Sequence, residues 1–363
     1  MQVTRLRVGD LRKLASIEIM PGPGINLLVG DNGAGKTSVL EALHLMAYGR
    51  SFRGRVRDGL VRTGAGALEI YIEWTEGGGE RARRAGLRHA GSKWEGRLDG
   101  EAVSQLGDLC AALAVVTFEP GSHALVGGSA EPRRRFMDWG LFHVEPVFLP
   151  AWRRYARALR QRNALLKRDA AADELEIWDR ELVAAGEPIT ALRQAYIESL
   201  EPVVAATAAT IAPGLGAATM QFLPGWRQEA MPLGDALLLA RERDRFLGHT
   251  SVGPHRCDWR IAFSAVGDGE ALSRGQAKLA ALACLLGQAG DLATRVGEWP
   301  VVALDDLASE LDAGHRRRLL GFLGATPAQV FVTGTDTPET IPDIPGRQGA
   351  VLFHVEQGRV TAA

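Results

Sequence analysis

Short apolar stretches separated by turn residues indicate that the first third of the chain is rich in β-strands. The strings VTRLRV, IEIM and INLLV near the start predict three strands. Residues 68–75, LEIYIEWT, alternate between apolar and polar side chains, as expected of a half-buried strand. The Asp-Gly pair in GRLDGEAV is typical of a tight hairpin turn, and LAVVTF predicts a buried strand. One helix, over 37–48, is predicted among these strands.

The apolar spacing changes to a helical period in the middle of the chain, over residues 132–247. Trp139, Trp152, Tyr155 and Leu159 recur close to this period, which favours a stripe of core residues over a binding site. Prolines interrupt the pattern, so it predicts several helices and not one long coiled coil. These prolines are Pro146, Pro150, Pro188, Pro202 and Pro213.

Strand patterns return in the last third, as WRIAF at 259–263, VVALDD at 301–306 and VFVTGT at 330–335. A helix is predicted over 273–289. Because strands precede and follow the helical block, we expect an α/β domain that is formed by both chain ends and carries an inserted α-helical subdomain. The predicted segments are 1–130, with an antiparallel β segment, 131–250, the helical insertion, and 251–363, which completes the α/β domain.

The composition is that of an ordinary folded protein. The 363 residues are 46% hydrophobic and 23% charged, with a formal net charge of −1. No uninterrupted apolar run approaches the roughly 18 residues that a membrane span needs, and the charged stretch MQVTRLRVGDLRKL is unlike a signal peptide. Cys110, Cys257 and Cys284 are too widely spaced to indicate a disulfide framework or a zinc site. We therefore expect a cytoplasmic protein with no membrane partner.

Clustered arginines are the feature of the charge pattern that suggests a partner. Only five of the 42 basic residues are lysine. Planar guanidinium groups suit phosphate oxygens, although a cluster of this kind can equally be a solvated face. The clusters lie at 49–62, at 81–97, and at 132–136 with 152–162.

Residues 30–37, GDNGAGKT, match the phosphate-loop pattern G-x-x-x-x-G-K-[ST], with a predicted strand before and a predicted helix after. In such a loop the backbone N–H groups surround phosphate oxygens, and the positive end of the following helix faces the same group. Lys36 is expected to reach the β- and γ-phosphates of ATP, and Thr37 to bind Mg²⁺. The expected nucleotide-binding residues are Gly30, Asp31, Asn32, Gly33, Ala34, Gly35, Lys36 and Thr37.

Two further motifs accompany the loop. The string LSRGQ, residues 272–276, begins a predicted helix and places Ser273 as its N-cap. The apolar strand VVALDD delivers Asp305 and Asp306 to the edge of the loop, where Asp305 can hold Mg²⁺. LSRGQ alone is a weak signal, but the order of phosphate loop, LSRGQ, acidic strand and SELD is specific.

This order resembles the heads of ABC-type ATPases, which transporters, SMC proteins and DNA-repair ATPases share. The resemblance implies an ABC-type, SMC-head-like P-loop ATPase fold, in which the serine-led signature helix of one subunit caps the γ-phosphate held by the other. A complete site would therefore need a head-to-tail pair of subunits. Ser273, Gly275 and Gln276 match the signature, and Ser309, Leu311 and Asp312 match the loop after the acidic strand.

Longer strings narrow the resemblance to the RecF family of bacterial recombination-mediator ATPases, and it covers essentially the whole chain. The family implies an ATP-dependent homodimer that binds single-stranded, gapped or junction DNA. It also implies RecR and RecO as partners in recombinase loading, with roles in replication-fork maintenance and SOS induction. The strings are GRSFRG at 49–54, VTFEPGSHALVGGSAEPRRRFMDW at 116–139, GHTSVGPHRCDW at 248–259 and LSRGQAKL at 272–279.

Three features depart from the superfamily pattern. Asp306 stands where a glutamate usually polarises the attacking water, and its side chain is one methylene shorter. Thr333 and Thr335 stand where a switch histidine is usual, and Glu119 stands roughly where a loop glutamine would lie. We assign the catalytic roles to Lys36 and Asp306 and expect weak, DNA-stimulated hydrolysis, below the roughly 10 s⁻¹ of a typical enzyme.

DNA contacts are expected to be mainly with phosphates, so that binding is sensitive to salt and independent of sequence. His255, in the turn SVGPHR, is interpreted as a structural residue and not as a base. The candidate DNA-binding residues are Arg133, Arg134, Arg135, Arg153, Arg154 and Arg157.

Two other classes of protein share these motifs. An ABC transporter ATPase subunit usually carries them within a shorter chain, whereas Lys36 and Ser273 are 237 positions apart here. An SMC-like structural head would need heptads sustained through the middle of the chain, which the prolines argue against. A phosphate-loop kinase has no use for the signature motif.

Overall fold

Two compact units make up the protein. The sheet unit comprises Met1–Ser122, Thr210–Ala212 and Leu282–Ala363, and the helical unit comprises His123–Ala209 and Pro213–Ala281. The computed structural model describes residues 1–54, 59–91, 93–168, 170–267, 270–335 and 350–362.

Strands and helices alternate irregularly along these residues. The strands are β1 (Gln2–Leu11), β2 (Leu14–Ile19), β3 (Ile25–Val29), β4 (Leu68–Glu76), β5 (Arg81–Ala90), β6 (Lys93–Leu98), β7 (Glu101–Ala102), β8 (Val115–Phe118), β9 (Ala218–Leu223), β10 (Asp258–Phe263), β11 (Val301–Leu304), β12 (Val330–Gly334), β13 (Val351–Glu356) and β14 (Arg359–Ala362). The helices are α1 (Lys36–Tyr48), α2 (Leu106–Ala112), α3 (Ala124–Gly127), α4 (Ala130–Val144), α5 (Phe148–Lys167), α6 (Ala172–Ile211), α7 (Leu233–Leu239), α8 (Arg241–Leu247), α9 (Arg274–Val296), α10 (Leu307–Glu310) and α11 (Ala313–Gly324).

A six-stranded, mainly parallel sheet lies at the centre of the sheet unit, in the order β14-β13-β3-β12-β11-β8. Strand β3 pairs in parallel with both β12 and β13, so a strand from the start of the chain lies between two strands from its end. Every residue of β3 is buried, as expected of an apolar run in a parallel sheet that is covered on both faces. The prediction that both chain ends form one α/β domain is confirmed.

A second, antiparallel sheet belongs to the same unit, in the order β2-β1-β4-β5-β6-β7. Asp99 and Gly100 both have positive φ angles, of 51° and 97°, in the two-residue turn between β6 and β7, which confirms the predicted hairpin. One hydrophobic cluster contains Leu6 of this sheet, Leu40 of α1 and Phe331 of the parallel sheet. Helix α1 and both sheets therefore share a single core.

A buried amide ties the two sheets together. Gln329 is fully buried; its Nε2 donates to the carbonyls of Val3 (2.9 Å) and Gly22 (2.7 Å), and its Oε1 accepts the N–H of Val3 at 2.7 Å. All three bonds satisfy main-chain groups that would otherwise be buried without partners, so this side chain stabilises the junction. No sequence pattern predicted this role.

Charged side chains pack inside the helical unit. Arg162 of α5 is fully buried; its Nε donates to Asp179 Oδ1 at 2.5 Å, and its Nη1 donates to Asp244 Oδ2 at 2.7 Å and to Thr250 Oγ1 at 2.9 Å. These bonds connect α5 with α6, with α8 and with the segment after α8. A buried ionic cluster therefore contributes to holding these elements together, in a position where apolar side chains are more usual.

Three details of the helical block differ from the predictions. Strand β9 was not predicted in this block. It forms by antiparallel pairing with β10, which was predicted. Helix α6 continues through Pro188 and Pro202, because residues along it, such as Leu200, are fully buried and their packing outweighs the missing N–H groups. Trp152 was predicted to be a core residue of the helical stripe, but it is 41% exposed, whereas Tyr155 of the same stripe is buried.

The unit boundaries also differ from the predicted segments. Residues 251–281, which include the LSRGQ string, group with the helical unit and not with the strands that follow them. The helical unit begins at His123, close to the predicted start of the insertion at residue 131. Strand pairing explains the shift, because β10 pairs with β9 and so belongs with the insertion.

Helix α9 is, among the residues described, the helix with the length and apolar composition of a membrane span. Its mean hydropathy reaches 1.2 over 18 residues, but 61% of that stretch is buried inside the protein. Core helices pass the same test, so this is weak support for a span.

Candidate nucleotide-binding site

The phosphate loop connects β3 to α1 in the sheet unit. Other segments lie so close to this loop that glycine is needed at two of its positions. Gly30 has a φ of 154°, and a Cβ on this residue would lie 2.0 Å from the carbonyl oxygen of Val355 in β13. Gly35 has a φ of 120°, and its Cβ would lie 2.9 Å from Cδ2 of Leu14. Any larger residue at these positions would force the loop away from the strands around it.

Lys36 lies at the first position of α1 and folds back into the loop. Its Nζ donates to the carbonyl oxygens of Gly30 at 2.6 Å and Asp31 at 2.9 Å. Helix α1 has no side-chain cap and no acidic residue in its first turn, so its positive end is not neutralised locally. The loop therefore presents an ammonium group and a helix N-terminus together, which suits a phosphate group.

Thr37 and Asp305 meet at the edge of the loop. Thr37 Oγ1 donates to Oδ1 of Asp305 at 2.9 Å, and Thr333 Oγ1 donates to the same oxygen at 2.7 Å. Asp305 follows β11 and Thr333 lies in β12, so neighbouring parallel strands deliver both side chains to one end of the sheet. A hydroxyl oxygen beside a carboxylate is a ligand set that fits Mg²⁺.

Burial controls the charge of Asp305. Its exposure is only 4%, and burial raises the pKa of this carboxyl above its usual value. The hydrogen bonds from Thr333 and Thr37 lower the pKa in part, while the negative charge of Asp306 raises it further. A cation bound here would offset the electrostatic repulsion between the Asp305 and Asp306 carboxylates.

Asp306 adopts an unusual backbone conformation at the start of α10, with φ of 50° and ψ of 44°. Its N–H donates to Thr333 Oγ1 at 2.8 Å, and its Oδ1 accepts the hydroxyl of Ser309 at 2.9 Å. The residue that replaces the usual glutamate is therefore held by two hydroxyl groups of its own chain.

A cavity of about 730 Å³ opens over the loop, and it brings most of the predicted site together. Lys36, Thr37, Asp305 and Asp306 line it. The cavity lining also includes Asn32, Gly33, Gly35, Glu119 and Thr333 of the residues that the sequence singled out.

Cationic residues that sequence reasoning missed line the same cavity. Arg12 and Lys13 come from the turn between β1 and β2, and Lys13 Nζ donates to the carbonyl of Gly33 at 3.2 Å. Arg12 pairs with the fully buried Glu41 of α1, with 2.9 Å between Nη2 and Oε1. Arg53, in the string GRSFRG, also lines the cavity. Only the GRSFRG string offered a sequence signal, because nothing in RKL near the start marks a ligand contact.

The signature residues lie in the helical unit and form a reciprocal helix cap. The N–H of Ser273 donates to Oε1 of Gln276 at 2.9 Å, and the N–H of Gln276 donates to Ser273 Oγ at 3.3 Å. Ser273 and Gly275 are exposed. The predicted N-cap is therefore present, on an accessible surface.

The arginines proposed for DNA have different surroundings. Arg133 makes two bonds to the carboxylate of Asp258, at 2.6 and 2.9 Å, and Arg134 donates to the carbonyl of Cys257 at 3.0 Å. Arg135 pairs with Glu131 one turn away. These three side chains are thus engaged within the helical unit.

The α5 arginines are more accessible. Arg153 and Arg157 are exposed, and Arg154 is exposed but paired with Glu181 at 2.8 Å. Residues 55–58 of the first arginine cluster and residues 336–337 after Thr335 lie outside the described residues.

His255 belongs to a partly buried chain of polar groups in the helical unit. Nδ1 lies 2.7 Å from the hydroxyl of Tyr155, and Nε2 lies 3.0 Å from the carbonyl oxygen of Thr250. Because a carbonyl only accepts, Nε2 carries the proton and Tyr155 donates to Nδ1. Burial lowers the pKa of His255 to about 4. These contacts support the structural interpretation.

The fold is similar to those of solved RecF and SMC proteins. A structure of the recombination mediator protein RecF-ATPrS in the RecFOR pathway has a TM-score of 0.86 and 24% identity, and covers 99% of this chain and 97% of that chain. The SmcHead bound to the C-winged helix domain of ScpA has a TM-score of 0.60 and 14% identity, and covers 100% of this chain and 97% of that chain. Both similarities concern the fold alone.

Sequence comparison identifies the family. Residues 2–344 match the family model described as RecF/RecN/SMC N terminal domain. The DNA replication and repair protein RecF of Stenotrophomonas maltophilia (strain R551-3) is 61% identical over an alignment of 368 positions, which covers 100% of each chain. The protein of the same name from Shewanella baltica (strain OS155 / ATCC BAA-1091) is 37% identical over 362 residues, 99% of both chains. This chain belongs to the RecF family.

Proposed function

We propose that this chain is an ATP-dependent DNA-binding protein of recombinational repair and replication-fork maintenance. The observation that carries the proposal is the cavity in which Lys36 lies beside the Thr37–Asp305 pair. The relatives named DNA replication and repair protein RecF, and the solved structures named RecF-ATP and RecF-ATPrS, support ATP as the nucleotide.

ATP would be held by residues of the sheet unit. Lys36 would exchange its bonds to loop carbonyls for bonds to the β- and γ-phosphate oxygens, which are stronger acceptors because they are charged. Thr37 and Asp305 would hold Mg²⁺, which supplies neutralisation of phosphate charge.

Hydrolysis would be slow. Asp306 would accept a proton from the attacking water, but its side chain is shorter than glutamate and its Oδ1 already accepts the hydroxyl of Ser309. The bond from Ser309 restrains the rotation of this carboxylate, and Oδ2 is left as the oxygen that would accept the proton. We infer that ATP acts mainly as a timed switch between DNA-bound and free states.

An ATP-dependent homodimer would complete the site. The exposed Ser273 and Gly275 of one copy would contact the γ-phosphate held by Lys36 of a second copy. A backbone N–H and a hydroxyl at the start of α9 are suitable donors to that phosphate. Nucleotide binding and pairing of subunits would then be linked.

DNA would contact the helical unit through exposed arginines of α5. Arg153 and Arg157 are exposed, whereas Arg133 and Arg134 are occupied by Asp258 and by the carbonyl of Cys257. The expected substrates are single-stranded, gapped or junction DNA, with RecR and RecO as partners and a role in SOS induction. The proposed location is the cytoplasm.

The test is fluorescence anisotropy on a gapped duplex with ATP, with ADP and without nucleotide. Tight binding with ATP alone is expected for the unmodified protein and should be lost in Lys36→Met and in Ser273→Arg. Lys93→Met and Ser129→Arg are matched controls, because Lys93 is 77% exposed and Ser129 caps a helix without a side-chain bond.

Two outcomes would contradict the proposal. Binding that is indifferent to the nucleotide would exclude ATP as the switch. No DNA binding under any condition would favour an SMC-like structural head or a transporter ATPase subunit.

A further inference from the structure

Thr333 is a buried hydroxyl that contacts both acidic residues of the site. It lies in β12, is 1% exposed, and donates from Oγ1 to Oδ1 of Asp305 at 2.7 Å. The same oxygen accepts the N–H of Asp306 at 2.8 Å. Because a hydroxyl has one proton, these two bonds fix its orientation: it donates to the first acid and accepts from the second.

The first of these bonds fixes the rotation of the Asp305 carboxylate. Thr37 of α1 and Thr333 of β12 both donate a hydrogen bond to Oδ1. Among the described residues, the side-chain bonds to this carboxylate all end on Oδ1. Oδ2 is therefore the oxygen available to a cation at the cavity, and its position depends on both threonines.

The second bond fixes the backbone of Asp306. A φ of 50° is disfavoured for any residue other than glycine, although aspartate tolerates it better than most. The hydroxyl of Thr333 pairs the N–H that this conformation turns toward β12. The direction in which the Asp306 side chain leaves the backbone follows from this conformation.

We propose that Thr333 is the positioning residue that couples the two acids, so that cation binding at Asp305 and proton acceptance at Asp306 depend on one hydroxyl group. The inference rests on the proposed function, because it assumes that the cavity takes ATP with Mg²⁺. It gives a role to one of the two threonines that stand where a switch histidine is usual.

The experiment compares Thr333→Val, Thr333→Ser and Thr117→Val with the unmodified protein. Thr117 is a matched control, because it is a buried threonine of β8 in the same sheet, and its Oγ1 contacts His44 at 3.0 Å and neither acid. Affinity for a fluorescent ATP analogue is measured in Mg²⁺ and in EDTA, and hydrolysis is measured in a single turnover. Unfolding temperatures show which variants are folded.

Thr333→Val should bind the analogue in EDTA as the unmodified protein does, and should lose about tenfold of the gain in affinity that Mg²⁺ provides, the effect of one lost bond to a charged group. Its single-turnover rate should fall further, because Asp306 loses its anchor as well. Thr333→Ser should restore both values, and Thr117→Val should change neither. If Thr333→Val does not fold, Thr333→Ala, which removes the hydroxyl without adding a methyl group, replaces it.

The two hypotheses fail differently. If the unmodified protein gains no affinity from Mg²⁺, the proposed function fails and the inference fails with it. If the unmodified protein gains affinity and folded Thr333→Val gains as much, only the inference is overturned. It is also overturned if Thr333→Ser loses as much as Thr333→Val, since the hydroxyl would then not be the cause.

Discussion

The cavity of the sheet unit and the interior of the helical unit both contain buried charged side chains, but the partners of these side chains differ. In the sheet unit, Lys36 and Asp305 are buried at the wall of a cavity, and their partners are neutral carbonyls and hydroxyls. In the helical unit, Arg162 is buried between Asp179 and Asp244, and its charge is neutralised within the unit. A buried charge with only neutral partners can still bind a ligand of opposite sign, whereas a neutralised one serves the scaffold.

Replacing Arg162 by Met should produce the largest effect. The change leaves Asp179 and Asp244 buried without their common partner, and should cost about 3 to 5 kcal/mol in the free energy of unfolding. Chemical denaturation followed by circular dichroism measures it. Arg157→Met, on an exposed arginine of the same helix, should stay within about 0.5 kcal/mol. Equal stability of the two variants would show that the Arg162 cluster is not part of the scaffold.

Replacing Lys36 by Met should have the opposite profile. Affinity for ATP should fall about a hundredfold, because the phosphates lose a buried cationic partner. The free energy of unfolding should change by only about 1 kcal/mol, because the partners left behind are carbonyls of the loop. Isothermal calorimetry and thermal denaturation measure the two values, with Lys93→Met as the control. A large loss of stability would place Lys36 with the scaffold charges.

Acid should weaken the helical unit through its histidines. Burial lowers the pKa of both His255 and His143 to about 4, from 6.5. Since the unfolded chain then binds more protons than the folded one, their stabilisation is complete above pH 6.5 and is lost as pH falls toward 4. Each group should contribute a slope of up to about 1.4 kcal/mol per pH unit.

His255→Gln should remove one of these two contributions. Denaturation midpoints between pH 7.5 and pH 5, combined with hydrogen exchange to separate the units, measure the change in slope. His143→Gln is the matched comparison. An unchanged slope in His255→Gln would mean that the pKa of His255 is the same in the folded and unfolded protein, and would contradict the prediction.

The smallest effect is expected at the exposed arginines. Arg157→Gln should lower DNA affinity a few fold and reduce the slope of log affinity against log salt by about one, because one phosphate contact is lost. Arg133→Gln should leave that slope unchanged and instead lower stability, because Asp258 loses a partner with two bonds. Anisotropy titrations at several salt concentrations separate the two. A lower slope in Arg133→Gln would show that Arg133 contacts a DNA phosphate, as the sequence predicted.

Motifs that constrain the backbone were predictable from the sequence, and compositional clusters were not. Gly30 and Gly35 have positive φ angles and close neighbours that require glycine. Their spacing relative to Lys36 therefore predicts the conformation of the loop. The cluster PRRRF carries none, and Arg133 and Arg134 form internal bonds that depend on Asp258 and Cys257, more than a hundred residues away.

The remaining contacts of the site also join residues that are far apart in the sequence. Thr333 meets Asp305 only because β11 and β12 are neighbours in the sheet, and Lys13 reaches the loop only because the β1–β2 turn folds over it. No local pattern marks Lys13 as a partner of the loop, and Thr333 was singled out only by its place at the switch-histidine position. Gln329, which joins the two sheets, is likewise invisible until the strands are placed.

The place of β3 between β12 and β13 has a consequence for synthesis of the protein on the ribosome. The phosphate loop follows β3, but both neighbours of this strand are made about three hundred residues later. At bacterial elongation rates that interval lasts roughly 15 to 60 seconds. During it the apolar strand has neither lateral partner, so the nascent chain would expose an aggregation-prone segment that chaperones could protect. The strand that leads into the phosphate loop would therefore gain its lateral hydrogen bonds only after β12 and β13 had emerged.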